Sequence, residues 1–74
     1  MVTIYTKPGC QPCRMSKRFL DANGIAHEAI DVVADPSALA RITELGYAQL
    51  PVLETAHAHW SGFDPDKMAG LLAA

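Results

Sequence analysis

Cysteine is scarce in this 74-residue chain, which contains only Cys10 and Cys13. A bridge between them closes a ring that the chain-entropy model values at only about 2 kcal/mol, against about 3 kcal/mol for a 15-residue loop. A secreted scaffold stapled by disulfides is therefore excluded. Long apolar runs are also missing, so no membrane span is expected. Met1-Val-Thr-Ile-Tyr5 lacks the early positive charge of a signal peptide and alternates like a strand. Charged residues make up 19% of the chain and the net charge is −2, which leaves no electrostatic case for a nucleic-acid partner. Repeats, low-complexity stretches and linkers are absent too. A reducing cytosol is the expected compartment, where a C-x-x-C pair means redox chemistry or metal binding.

Half of the residues are hydrophobic, enough for one packed domain over residues 1–74. Such a small chain buries only about 60% of its unfolded surface, so its core is marginal. Charge is unevenly placed. Residues 1–20 hold Lys7, Arg14, Lys17 and Arg18 with no acid, giving +4, and the remainder sums to −6. The cysteines lie within the positive stretch.

Val2 to Thr6 has the period of a strand, broken by Lys7-Pro8-Gly9. A helix is expected from about Gln11 to Asn23, with Pro12 in its first turn and Gly24 as a left-handed stop. Met15, Phe19 and Leu20 are expected on its apolar face. His27 to Val33 reads as a second strand. Asp35-Pro36 signals a helix start, and Leu39, Ile42 and Leu45 recur at helical spacing before Gly46. Pro51 to Glu54 reads as a third strand, followed by a turn and a short fourth strand around His59-Trp60-Ser61. Asp64-Pro65 repeats the cap-then-proline signal for a last helix through Met68, Leu71 and Leu72. The order β-α-β-α-β-β-α fits a four-stranded mixed α/β sheet flanked by three helices. The cysteines then follow the first strand at the start of the first helix, at the sheet edge where ligands bind in open α/β folds.

Thiol–disulfide exchange needs a thiolate nucleophile and a second thiol that attacks the mixed disulfide. Cys10, near a helix N-cap, meets unpaired N–H groups and the positive end of the dipole. Lys7 and Arg14 add positive charge, and Pro12 fixes the backbone between the sulfurs. Cys13, one turn inward, is the expected resolving thiol. Zinc is the competing use of C-x-x-C. It would need two more ligands, and His57 and His59 stand one residue apart instead of the usual three to five. Pro51 is either a strand-initiating residue or part of a cis Leu50-Pro51 bond facing the dithiol. In the second case the backbone of Leu50 is open to pair with a substrate peptide as an added strand. Trp60 and Phe63 bracket Ser61-Gly62 at a strand-to-helix junction, where either could simply fill core.

Tyr5-Thr-Lys-Pro-Gly-Cys-x-x-Cys13, Gly46-Tyr-x-Gln-Leu-Pro51-Val and Trp60-Ser-Gly-Phe63-x-Pro-Asp66 together resemble NrdH-redoxins, small glutaredoxin-like proteins. The resemblance covers residues 2–72. It implies a thioredoxin fold, a cis bond at Pro51, Cys10 as nucleophile and Cys13 as resolving thiol, and no cofactor. The partners it implies are thioredoxin reductase and the large subunit of class Ib ribonucleotide reductase, engaged by a cytoplasmic monomer. It places Gln11, Leu50, Pro51, Trp60, Ser61, Gly62 and Phe63 on the partner-binding surface. Two positions depart from the family pattern. Gln11-Pro12 replaces a hydrophobic residue and glutamine, and the proline leads us to expect a redox potential near the thioredoxin value of about −270 mV. Asp64 stands where arginine is common, making the surface locally more acidic. A glutathione-dependent glutaredoxin is the alternative. Its threonine-valine-proline loop and its glycine-glycine segment with paired aspartates are replaced here by Leu50-Pro51 and Trp60-Ser-Gly-Phe63.

Overall fold

The computed structural model describes residues 1–73; Ala74, included in the expected domain, lies outside the described residues. Strand β1 (Val2–Thr6) leads to helix α1 (Gln11–Ala22), then β2 (His27–Asp31) and α2 (Pro36–Glu44). Next come β3 (Val52–Glu54), β4 (His59–Ser61) and α3 (Pro65–Gly70), with a 3-10 turn over Leu71–Ala73. The sheet order is β2-β1-β3-β4. β1 pairs with β2 in parallel, while β3 is antiparallel to both β1 and β4. This is the mixed four-stranded layout expected from the residues.

Alternation along the strands splits the core in two. Ile4, Leu53 and Trp60 form a row across β1, β3 and β4. They pack with Val2, Leu20 of α1 and Met68 of α3. Tyr5 and Val52 face the other way, against Val32 and against Ala38 and Ile42 of α2. Two helices thus cover one face and one covers the other, so the sheet's apolar surface is buried on both sides.

Local chemistry explains the boundaries. Asp35 and Asp64 cap α2 and α3, each accepting two backbone N–H groups ahead of a proline. Gly24 and Gly46 take left-handed φ values of 63° and 90° just past α1 and α2. β2 ends at Asp31 rather than at Val33. The Asp31 carboxylate accepts the Val33 N–H at 2.8 Å and the Asp31 carbonyl accepts the Asp35 N–H, which turns the chain and leaves Val33 exposed.

Three apolar residues depart from expectation. Met15 is exposed, and the buried face of α1 runs through Cys13, Ser16 and Leu20 instead. Leu39 is exposed because α2 buries Ala38 and Ile42, spaced i and i+4. Leu72 is exposed because α3 stops at Gly70 and tightens into the 3-10 turn.

One polar cluster ties α2 to the sheet. The Tyr5 hydroxyl donates to Glu54 at 3.1 Å, and the Arg41 guanidinium donates to the other Glu54 oxygen at 2.5 Å. The Arg41 hydrogen bond is the main cause that holds the Glu54 carboxyl below its ordinary range. A depressed carboxylate stabilises the fold above the unfolded value of about 4.3, and that stability is lost as pH falls through the lower folded value. Glu54→Gln is expected to lower the denaturant midpoint modestly at neutral pH, with the gap closing on acidification below about pH 4. A gap independent of pH would contradict this linkage.

Candidate functional site

The chain leaves β1 at Thr6 and turns through Lys7-Pro8-Gly9, where Gly9 has φ 73°. A left-handed residue is cheap only as glycine, so this turn delivers Cys10 to the start of α1 without strain. Cys10 is the N-cap. Its sulfur accepts the Cys13 backbone N–H at 3.3 Å, the position a serine or aspartate oxygen normally takes. Its carbonyl accepts the Arg14 N–H at 3.1 Å, opening the helical ladder. Pro12 occupies the first turn, where its missing N–H leaves no bond unmade. Cys10 and Cys13 form a disulfide with Cα atoms 5.2 Å apart. Both are buried, Cys13 at 1% exposure and Cys10 at 7%. Cys10, at the cap, is therefore the more accessible residue of the pair.

Leu50 and Pro51 face this cap from the loop before β3. Their peptide bond is cis, and the Leu50 carbonyl oxygen lies 3.8 Å from Cys10 Sγ. Pro51 itself is fully buried. An open groove beside the dithiol is lined by Lys7, Cys10, Gln11, Pro12, Gln49 and Leu50, with Gly9 and Ala48 completing it. Lys7 thus shares the groove with Cys10, whereas the Arg14 side chain bonds Gln11 Oε1 on the exposed surface of α1.

The tryptophan block lies elsewhere. Trp60 is buried in the core, and Phe63 packs against the same cluster. Neither lines the dithiol groove: the alternation of β4 turns Trp60 onto the α1–α3 face beside Leu53. Trp60 lines a second, mainly apolar groove with Met1, Ile25 and Leu71, at the opposite end of β1 from the dithiol. Ser61 and Gly62 act on the site through the loop. The Ser61 hydroxyl donates to the Gln49 carbonyl at 2.9 Å, and the Gly62 N–H donates to the Pro51 carbonyl at 2.8 Å. These two bonds bracket Leu50. Asp64, at the second departure, spends its carboxylate on capping α3.

His57 and His59 do not approach the cysteines. His57 lies in the turn between β3 and β4, and His59 opens β4, where it pairs with Glu54 and so lies level with Thr3, while the dithiol follows Thr6. The Tyr47 hydroxyl contacts His59 Nδ1 at 2.7 Å. Among the described residues no group of three or more His, Cys, Asp or Glu side chains is set to hold a metal.

Sequence reasoning missed Ala48 and Gln49 as groove residues. Ala48 had no signal beyond adjacency to Leu50-Pro51, and Gln49 stood in the Gly46-Tyr-x-Gln-Leu-Pro51-Val motif without a role.

A strand, a turn and a helix start that present two linked sulfurs beside a cis-proline loop define a thiol–disulfide oxidoreductase with a thioredoxin-type sheet. The Glutaredoxin family model matches residues 2–60. The glutaredoxin-like protein NrdH of Lactococcus lactis subsp. lactis (strain IL1403) is 34% identical over 71 residues, covering 96% of this chain and 99% of that protein. Gene 56 protein of Mycobacterium phage L5 is 40% identical over 73 residues, covering 96% of this chain and 71% of that protein. Among solved structures, the NrdH-redoxin of Escherichia coli superposes with a TM-score of 0.91 at 37% identity, covering 95% of this chain and 92% of that one. The chain belongs to the glutaredoxin family, as one of its NrdH-redoxins with a thioredoxin fold.

Ser61→Ala removes the hydroxyl that braces the Gln49 carbonyl. It is expected to cost about 1 kcal/mol of stability and to speed amide exchange at Gly62, the neighbouring brace. Unchanged exchange at Gly62 would show that the loop is held by other means.

Proposed function

We propose that this protein is a small electron carrier, reduced by thioredoxin reductase and reducing class Ib ribonucleotide reductase through the Cys10–Cys13 couple. One observation carries the reading: the Cys10 sulfur caps α1, Cys10 lines the groove, and Cys13 is the more buried residue of the pair. In the reduced protein the Cys13 N–H and the helix dipole favour the Cys10 thiolate. That thiolate attacks a partner disulfide, forming a mixed disulfide and releasing one partner thiolate. Cys13 then attacks Cys10 Sγ, closing the Cys10–Cys13 bond as the second partner sulfur leaves and takes a proton. Two electrons pass to the partner, and a reductase returns them.

The Leu50 backbone flanks the sulfur and would hold the partner's extended chain at the groove, with Gln11 and Pro12 on its other side. The Escherichia coli relative is a glutaredoxin-like protein with a thioredoxin-like activity profile, which supports a reductase rather than glutathione as the electron source. Lys7, Lys17 and Arg18 make no salt bridge among the described residues, so the +4 stretch around the dithiol is free to steer an acidic partner segment. A cytosolic site of action fits a couple that must be kept reduced, and no helix among the described residues is long and apolar enough to cross a membrane.

A coupled assay tests these roles together. Turnover with NADPH and thioredoxin reductase is expected for the native chain and its loss for Cys10→Ser, while Cys13→Ser is expected to trap a mixed disulfide with the partner. The rate of partner reduction should fall with added salt. Turnover supported only by glutathione would overturn the proposed electron source, and a salt-independent rate would remove the steering.

A further inference from the structure

Ser16 is fully buried on the face of α1 that carries Cys13 and Leu20, and its hydroxyl has no hydrogen-bond partner. A serine in a helix commonly satisfies itself on the carbonyl one turn back; this one does not. An orphan hydroxyl in an otherwise apolar layer bears its desolvation penalty without return. Apolar packing alone would be served as well by alanine.

The position supplies a reason. Residues three apart on a helix are neighbours, with Cβ atoms about 5–6 Å apart. Ser16 follows Cys13 at that spacing on the same buried face. While the disulfide is closed, the Cys13 sulfur is neutral and a weak acceptor, so the hydroxyl gains little by turning toward it. Opening the bond changes the demand. Cys13 must then carry a negative charge at 1% exposure, where desolvation opposes ionisation. Its own N–H is directed at Cys10, and of the buried side chains that follow it on α1, Ser16 and Leu20, only Ser16 donates. The core cluster facing α1 holds Val2, Ile4, Leu53 and Met68, which are apolar, and Trp60. The unpaired Nε1–H of Trp60 belongs to β4, on the far side of β3 from β1, in a side chain that lines the groove at the opposite end of β1 from the dithiol. The charged neighbours on α1 are Arg14, bonded to Gln11, and half-buried Lys17 at the margin of the face.

We propose that the Ser16 hydroxyl is a hydrogen-bond donor reserved for the Cys13 thiolate, and that it positions and stabilises this sulfur for the step that resolves the mixed disulfide. In that step Cys13 gives its proton to water and its electron pair to Cys10 Sγ. The new Cys10–Cys13 bond forms, the bond between Cys10 and the substrate sulfur breaks, and the departing thiolate is protonated from solvent. The proposal rests on the roles given above to Cys10 and Cys13.

The aromatic disulfide 5,5′-dithiobis(2-nitrobenzoate) separates the two steps, because reduced protein releases one coloured thiolate when Cys10 attacks and a second when Cys13 resolves. Ser16→Ala is expected to leave the first phase and its pH profile unchanged. The pH midpoint of the second phase should rise by about one unit, slowing resolution about tenfold below that midpoint, the effect of losing one hydrogen bond to a charged group. Lys17 is present in both proteins, so its charge cancels from the comparison. Ser16→Thr keeps the hydroxyl and should restore the native profile. The oxidised Ser16→Ala protein should melt no lower than the native one, since only an unpaired group is lost. A lower melting point would mean that the hydroxyl already has a partner in the disulfide form, and would overturn the proposal. Two phases with an unshifted second midpoint would overturn the role of Ser16 alone. Release of only one coloured thiolate per protein would overturn the assignment of the cysteines and this proposal with it.

Discussion

The hydrogen bond from the Cys13 N–H to the Cys10 sulfur is at once a helix cap and the root of the chemistry. A helix start has N–H groups that need an acceptor, and serine, threonine or aspartate usually provides it. Here sulfur does. The group that completes α1 is therefore also the group whose negative charge that helix start favours. Gly9 turns the chain so that the cap is reached, Pro12 occupies a position with no bond to lose, and the first ladder bond from Arg14 closes behind it. The sheet beneath supplies a fixed base, because β1 is paired on both sides and its side chains are buried on both faces.

Much of this layout is legible in the residues, for identifiable reasons. Asp35-Pro36 and Asp64-Pro65 combine a capping carboxylate with a proline suited to the first turn, and both mark helix starts in the structure. Gly24 and Gly46 mark the stops. Side-chain hydropathy was a poorer guide to which face is buried. Met15 and Leu39 are strongly apolar yet exposed, while Ser16 and Ala38 are buried in their places. Cys13 fixes the rotation of α1 by having to face Cys10, and the residues at i+3 and i+7 follow it inward whatever their polarity. Tertiary geometry outweighed the local pattern.

The site divides along similar lines. The two cysteines and Pro51 stand out in sequence because few roles suit their spacing and context. Gln49 stands in the Gly46-Tyr-x-Gln-Leu-Pro51-Val motif, but its part in the loop was not legible, since its carbonyl is what Ser61 grips and any residue has a carbonyl. The tryptophan block was readable as a motif but not as a mechanism. Its aromatic ends fill core, while its Ser61 and Gly62 hold the loop that carries Leu50, from positions twelve and eleven residues away from their acceptors. Long-range backbone bonds of this kind leave no periodic trace. The marginal core of so short a chain also reads differently here: two cysteines are too close to stabilise it, and the proposed function makes them its working parts.

Ionisation of the reduced protein, followed by the ultraviolet absorbance of its thiolates against pH, tests this account most directly. Cys10 as the cap of α1 predicts a first thiolate midpoint well below the free-cysteine value of about 8.5, abolished by Cys10→Ser and retained in Cys13→Ser. A first midpoint at about 8.5 or above, or one that survives Cys10→Ser, would show that the start of α1 does not activate this sulfur.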